Sequence, residues 1–369
     1  MPDARDLSFR QWLTPLLDRV LSGGAITRDE ALRLLQTEGA DAFEVFAAAN
    51  RIREAFQGTD VHLCSIVNAK SGRCSEDCGF CSQSVRFSSP VEEYDLVDTA
   101  EVVKHAEAAK ARGSQALGVV AAWRGLKQGK QLDSVLERIR AVAAVGGVKA
   151  DASLGLIDDP EIPVLLKEAG LHTYNHNLES SRRFFGEVCE THDYDSRITT
   201  LKLLKAAGVH TCSGGIFGMG EEPADRVELA FELAELDVDV IPMNFLNPME
   251  GTPMANRPLM EPMQALRTIA MFRFVNPTKE IMVAGGREVT LRELQPLMFV
   301  AGASATMAGH YLTSEGRSTS DDWTMIHDLE MDYVPPGAPR PPGEGVTLGQ
   351  PSRSVRPGVG LPVLDRADL

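Results

Sequence analysis

From about residue 61 onward, short apolar runs of strand character alternate with longer amphipathic stretches, and this alternation admits few folds. The strand-like runs fall at residues 61–68, 116–122, 148–154, 172–177, 210–217, 238–245 and 280–284, with a last short one at 299–307. Helix-like segments at 99–112, 132–145, 160–169, 195–207, 223–236, 262–275 and 292–297 separate them. The dipeptides Ala169-Gly170 and Ala207-Gly208 suit helix ends, where glycine just past the last turn takes the left-handed conformation without steric cost. Strands that alternate with helices are joined by crossovers and therefore run parallel. Eight such units spread over about 245 residues predict an α/β protein built as a (β/α)8 TIM-type barrel. Such barrels carry their chemistry on loops at the strand C-termini, so the segments following each run are the ones to inspect.

The barrel does not use the whole chain. Within residues 1–57, the stretch from about 8 to 57 alternates apolar and charged positions at helical spacing, and Thr27 with Glu30 three residues later is a capping-box pattern ahead of Ala31-Leu-Arg-Leu-Leu35. They are expected to form an N-terminal helical extension, with the barrel over 58–333. From residue 334 the composition turns to Pro, Gly and Ser, with few apolar side chains to offset the entropy of ordering, so 334–369 reads as a disordered tail. The formal net charge of −15 argues against a nucleic-acid partner, because phosphate binding requires clustered Lys and Arg. The N-terminus shows no basic region followed by an apolar one, and no stretch approaches the roughly 18 apolar residues of a membrane span. No membrane partner and a cytoplasmic location are therefore expected. Six cysteines in 369 residues do not make a disulfide framework.

Half of those cysteines lie in one loop. Cys74, Cys78 and Cys81 have C-x3-C-x2-C spacing just after the first strand-like run, which places them at the barrel mouth. Three thiolates so close together can face one centre, and soft sulfur ligands suit zinc or iron–sulfur clusters. A tetrahedral structural zinc needs a fourth protein ligand. A four-iron cluster on three cysteines instead keeps one iron open to an exogenous ligand. With Phe80 immediately before the last cysteine, the loop resembles that of the radical S-adenosylmethionine (SAM) enzymes. The resemblance implies a 4Fe-4S cluster on Cys74, Cys78 and Cys81 whose open iron chelates SAM. It also implies that an electron from the cluster cleaves SAM to a 5′-deoxyadenosyl radical.

Four more segments narrow the resemblance: Asn68-Ala-Lys-Ser-Gly-Arg-Cys74, Tyr174-Asn-His-Asn-Leu-Glu179, Cys212-Ser-Gly-Gly-Ile-Phe-Gly-Met-Gly-Glu221 and Pro242-Met-Asn-Phe-Leu-Asn-Pro248. Together with the cysteine loop they closely resemble the biotin synthases over about residues 20–330. Read as residues alone, Gly214, Gly215 and Gly218 let backbone approach a ligand closely, since they carry no side chain. Strand alternation points Asn175, Asn177 and Glu179 to one face and His176, read as structural, to the other. The resemblance implies that Gly214, Gly215 and Gly218 pack along SAM and that Glu179 binds the SAM ribose hydroxyls. It further implies that Asn177 and Asn244 contact the ureido ring of the substrate, dethiobiotin. An Asn donates and accepts at once, which suits a cyclic urea. A reductant such as flavodoxin or ferredoxin and a homodimeric assembly are implied in the same way.

One part of the family pattern is missing. The resemblance implies a second iron–sulfur cluster of 2Fe-2S type deeper in the barrel as sulfur donor, held by cysteines on mid-barrel strands. Here only Cys212 stands at such a position. The second strand-like run has no cysteine, the third carries Asp151 and Ala152, and the later one Met282 and Ala284. Cys64 and Cys189 read as small buried residues, and Arg287 as a mouth-lining cation or a salt-bridge partner. Two alternatives to sulfur insertion follow. One is a radical SAM enzyme on the same scaffold that rearranges or dehydrogenates its substrate; the other is a non-catalytic metal- or cluster-binding barrel.

Overall fold

In the computed structural model, which describes residues 4–309, 311–312 and 316–333, the chain opens with helices α1 (Ala4–Leu21), α2 (Arg28–Leu35) and α3 (Gly39–Gln57). The Thr27 hydroxyl accepts from the Glu30 amide at 3.2 Å and the Glu30 carboxylate accepts from the Thr27 amide at 2.7 Å, so the capping box starts α2. The tail expected at 334–369 lies outside the described residues.

Strand β1 (Asp60–Lys70) shows why this chain closes into a barrel. Its burial alternates along the whole strand: Val61, Leu63, Val67 and Ala69 are buried in the hydrophobic layers, while His62, Cys64 and Ile66 border an interior cavity. There follow α4 (Thr99–Ala111), β2 (Ala116–Ala121), α5 (Lys130–Val145), β3 (Lys149–Ser153), α6 (Glu161–Glu168), β4 (Leu171–Asn175) and α7 (Tyr194–Ala206). Next come β5 (His210–Cys212), β6 (Gly215–Phe217), α8 (Pro223–Glu235), β7 (Val240–Phe245), α9 (Pro262–Val275) and β8 (Glu280–Val283). The chain continues with α10 (Arg287–Leu291), α11 (Leu297–Val300), β9 (Ala305–Met307), α12 (Thr319–Asp328) and β10 (Asp332–Tyr333). The strands pair in parallel in the order β1-β2-β3-β4-β5-β7-β8-β9, and β9 pairs back onto β1. This is the expected (β/α)8 barrel, with β5 and β6 as two halves of one stave.

Two elements differ from expectation. The fifth stave breaks at Ser213-Gly214, with Cys212 paired to Val240 and Gly215–Phe217 paired to Met243–Phe245. The last stave is shorter than residues 299–307, because Leu297–Val300 forms α11 and buries Phe299 completely. A short apolar run fits a buried strand and a buried helix equally well, and here Pro296 opens a helix. Gly170 and Gly208 have φ of 98° and 70°, as expected just past α6 and α7.

Helices α2 and α3 pack on α8, α9 and α11. At the other end of the chain, Arg287 Nη2 meets Asp322 Oδ2 of α12 at 2.6 Å, with both side chains fully buried. Arg287 is thus a salt-bridge partner and not a mouth-lining cation. Among the described residues no helix is long and apolar enough to cross a membrane.

Candidate active site

A cavity of about 730 Å³ runs along the barrel, from the cysteine loop at the strand C-termini to His62, His172 and His210 at their N-termini. Inward-facing positions of the strands make its wall. At the lower end the rings of His172 and His210 stack at 4.7 Å, and burial lowers the His172 pKa to about 4.

The cysteine loop folds over the upper end. Arg73 turns the chain in the left-handed region at φ 56°, and the Cys74 amide then donates to the Gln83 carbonyl at 2.9 Å. The Val85 amide returns to the Cys74 carbonyl at 2.9 Å, and the Cys81 amide donates to the Cys78 carbonyl at 2.9 Å. This winding brings all three thiols to the cavity wall. Burial raises the Cys74 pKa and pushes Cys81 up to about 11; Cys78 is raised first by a hydrogen bond with the Cys189 thiol and then by burial. A bound cluster takes these groups as thiolates, so cluster binding is coupled to proton release. Three thiols on one concave wall, with no fourth cysteine on the loop, fit a cluster that leaves one iron open. Phe80 and Ile216 pack with Phe184, Val188, Leu246 and Met254 into an apolar collar beside the loop.

Glu179 stands on the same cavity. It has left-handed backbone geometry at φ 68°, held by hydrogen bonds of its amide to the Gly214 carbonyl at 3.1 Å and of its carbonyl to the Ile216 amide at 2.9 Å. Its Oε1 accepts from Arg197 Nη1 at 3.4 Å, while Oε2 is buried and has no partner, and burial raises the carboxyl pKa. A buried carboxylate oxygen without a donor is costly, and a ligand offering hydroxyls would satisfy it. Arg197 also donates to the Asn177 carbonyl at 2.6 Å and to His192 Nε2 at 2.9 Å, and its Nη2 lies 4.0 Å from Cys78 Sγ.

Asn177 and Asn244 both border the cavity. Asn177 Oδ1 accepts from Asn175 Nδ2 and from the Gly214 amide, each at 3.2 Å. Asn244 Oδ1 accepts from the Gly285 amide at 3.0 Å, and its Nδ2 donates to the Gly215 carbonyl at 3.4 Å. Gly214, Gly215 and Gly218 are not on the cavity wall. A Cβ on Gly214 would overlap the Pro242 carbonyl, and one on Gly215 would crowd the Glu179 carbonyl. These two glycines therefore let staves pack together. His176 is buried as expected, though its ring also borders the cavity.

Cys212 lies deeper, where Asn175 Nδ2 donates to its sulfur at 3.3 Å. Cys64, Asp151 and Met282 border the same stretch of cavity. Burial pushes the Cys64 and Cys212 thiols up and raises Asp151 to about 7. Cys64, read from sequence as a small buried residue, thus joins Cys212 as a second thiol in the deeper part of the cavity.

Comparison with known proteins accounts for this arrangement. Residues 69–234 match the family model described as the radical SAM superfamily, and residues 242–332 match the Biotin and Thiamin Synthesis associated domain. The chain is 47% identical over 319 residues to the biotin synthase of Geobacter metallireducens, covering 86% of this chain and 97% of that protein. It is 44% identical over 323 residues to the biotin synthase of Pelobacter propionicus, covering 88% and 98%. The chain belongs to the biotin synthase family.

Solved structures support the fold of this biotin synthase family member. Methylornithine synthase superposes with a TM-score of 0.76 at 18% identity, covering 86% of this chain and 97% of that one. The FeFe-hydrogenase maturase HydG of Carboxydothermus hydrogenoformans gives a TM-score of 0.74 at 15% identity, covering 88% and 79%. Sequence reasoning missed Arg197 in this biotin synthase family site. It stands in the first turns of an amphipathic helix, where the sequence pattern alone does not distinguish a buried arginine from an exposed one.

Proposed function

We propose that this biotin synthase family member converts dethiobiotin to biotin, by hydrogen abstraction from unactivated carbon and sulfur insertion. The observation that carries the reading is the placement of Cys74, Cys78, Cys81 and the unpartnered Glu179 oxygen on one enclosed wall. Cys74, Cys78 and Cys81 hold the 4Fe-4S cluster. Bound there with SAM, the cluster supplies the electron that yields the 5′-deoxyadenosyl radical. Glu179 accepts from the SAM ribose hydroxyls, and Arg197 opposes the upward pull of burial on its pKa and orients the carboxylate. Gly214, Gly215 and Gly218 shape the strand end against which SAM lies. Asn177 and Asn244 orient the ureido ring of dethiobiotin, each fixed by hydrogen bonds to neighbouring groups that leave capacity on its amide. The apolar collar around Phe80 keeps water and stray hydrogen donors from the reacting carbon. The electron donor is a flavodoxin or ferredoxin, the assembly a homodimer and the compartment the cytoplasm.

The sulfur source separates this reading from a second one. Cys212, Cys64 and Asp151 are the groups that could hold a further iron–sulfur centre in the lower cavity, an irregular donor set. Loss of the other mid-barrel cysteines favours a radical SAM enzyme that abstracts hydrogen without inserting sulfur. The test is anaerobic incubation of reconstituted protein with SAM, a reductant and dethiobiotin, with products read by mass spectrometry. Biotin with 5′-deoxyadenosine establishes the first reading. Dethiobiotin-dependent 5′-deoxyadenosine without biotin establishes the second, and the absence of both products rejects the two together.

A further inference from the structure

Cys189 sits against the middle cysteine of the cluster loop. Arg197 Nη2 lies 4.0 Å from Cys78 Sγ, and Arg197 Nε donates to His192, whose Nδ1 lies 3.3 Å from Cys189 Sγ, so the two thiols flank one Arg197–His192 pair. The chain segments beside them are tied together: the Gly79 amide donates to the Val188 carbonyl at 2.8 Å. Asp77 Oδ1 accepts from the amides of Glu190 and Thr191 and from the Cys189 thiol, each at 3.1 Å. A disulfide needs sulfurs about 2.05 Å apart on backbones already close to each other. Here both segments are anchored side by side, with residues 77–79 bonded to residues 188–191 on either side of the two cysteines. Cys78 also borders the cavity, which gives a small-molecule oxidant access to it.

A divalent metal is the other use of this corner, since ligand atoms of Glu76, Cys189 and His192 lie within 4.8 Å of one another. The imidazole argues against it. His192 Nδ1 is hydrogen-bonded to Glu76, and Nε2 accepts from Arg197 Nε at 2.9 Å, so neither ring nitrogen has a lone pair to give.

We propose that in the cluster-free chain Cys78 and Cys189 close a disulfide, which withholds the middle cluster ligand until the bond is reduced. The co-reactant is a low-molecular-weight disulfide such as oxidised glutathione. One protein thiolate attacks it, forming a mixed disulfide and releasing one glutathione thiol. The second protein thiolate then attacks the mixed disulfide, forms the Cys78–Cys189 bond and releases the second glutathione thiol. Two protein thiols are oxidised, one small disulfide is reduced to two thiols, and their two protons pass to the released thiolates.

The test uses cluster-free full-length protein equilibrated with oxidised glutathione, followed by thiol counting, tryptic mapping and circular dichroism to confirm the fold. The count should fall from the six thiols of the reduced chain to four. A cross-link should join the peptide of residues 74–86 to that of residues 184–197. It should survive in the Cys74→Ala/Cys81→Ala double variant and vanish in Cys189→Ala. The oxidised wild type should take up no cluster until a dithiol reductant is added, whereas Cys189→Ala treated identically should take it up directly, read as iron content. Six free thiols after oxidation, or a bridge confined to the peptide of residues 74–86, would overturn the proposal.

Discussion

Arg197 Nη1 lies 3.4 Å from Glu179 Oε1, while the second oxygen of that carboxylate is buried without a partner. The pair leaves half of a charged acceptor directed at the cavity. Glu179→Gln keeps the size and removes the charge. It should weaken SAM binding roughly 10- to 100-fold, the range for losing hydrogen bonds to a charged group, and leave iron content unchanged. Equilibrium dialysis of reconstituted protein against labelled SAM checks this, and unchanged affinity would exclude Glu179 from the SAM site.

Cys78→Ala removes one of three thiols from the cavity wall. The variant should lose the iron–sulfur absorption and form no 5′-deoxyadenosine from SAM. Retention of SAM cleavage would sink the assignment of the loop as the cluster site.

The Arg287–Asp322 pair makes a prediction about stability. Asp322→Ala leaves the fully buried Arg287 guanidinium with Glu288, 3.4 Å from its Nε, as its remaining carboxylate and should cost about 3 kcal/mol, measured by urea unfolding. The double variant Arg287→Met/Asp322→Leu removes both charges and should recover most of the loss. Equal destabilisation in the single and double variants would mean that packing, and not the loss of the Asp322 carboxylate from Arg287, carries the effect.

Asp151 gives a pH dependence with a definite sign. Burial raises its folded pKa to about 7, against about 3.9 in an unfolded chain. Between those values the folded state holds a proton that the unfolded state has released. The associated stability is therefore complete below about pH 3.9 and is lost as pH rises through about 7. Asp151→Asn keeps the acceptor for the Thr173 amide, which donates to Oδ1 at 3.1 Å, and removes the ionisation. The variant should match the wild type near pH 4 and exceed it by roughly 2–4 kcal/mol at pH 8. Parallel unfolding curves across that range would show that Asp151 ionises in the folded protein as easily as in water.

Local signals made the barrel legible in the sequence. The alternation of apolar runs with amphipathic stretches and the glycines after α6 and α7 each state a local conformation on their own. The expected last stave starts too early because Leu297-Met-Phe-Val300 is apolar at every position and carries no periodicity. The cysteine loop was legible because its three cysteines are close in sequence. Arg197, Cys189 and the cavity-facing role of Cys64 were not, because what defines them is contact between segments far apart in the chain. At Gly214 and Gly215 the place of a side chain is taken by the Pro242 and Glu179 carbonyls, a packing constraint that the sequence pattern does not separate from backbone approach to a ligand.

That crowding has a consequence for any library of variants. Every non-glycine codon at Gly214 forces the two staves apart, so cellular abundance and catalytic output should fall together there. At Glu179, which borders the cavity, output should fall while abundance holds. A deep mutational scan read on both scales would therefore sort the positions that build this barrel from those that use it, without a ligand-bound structure.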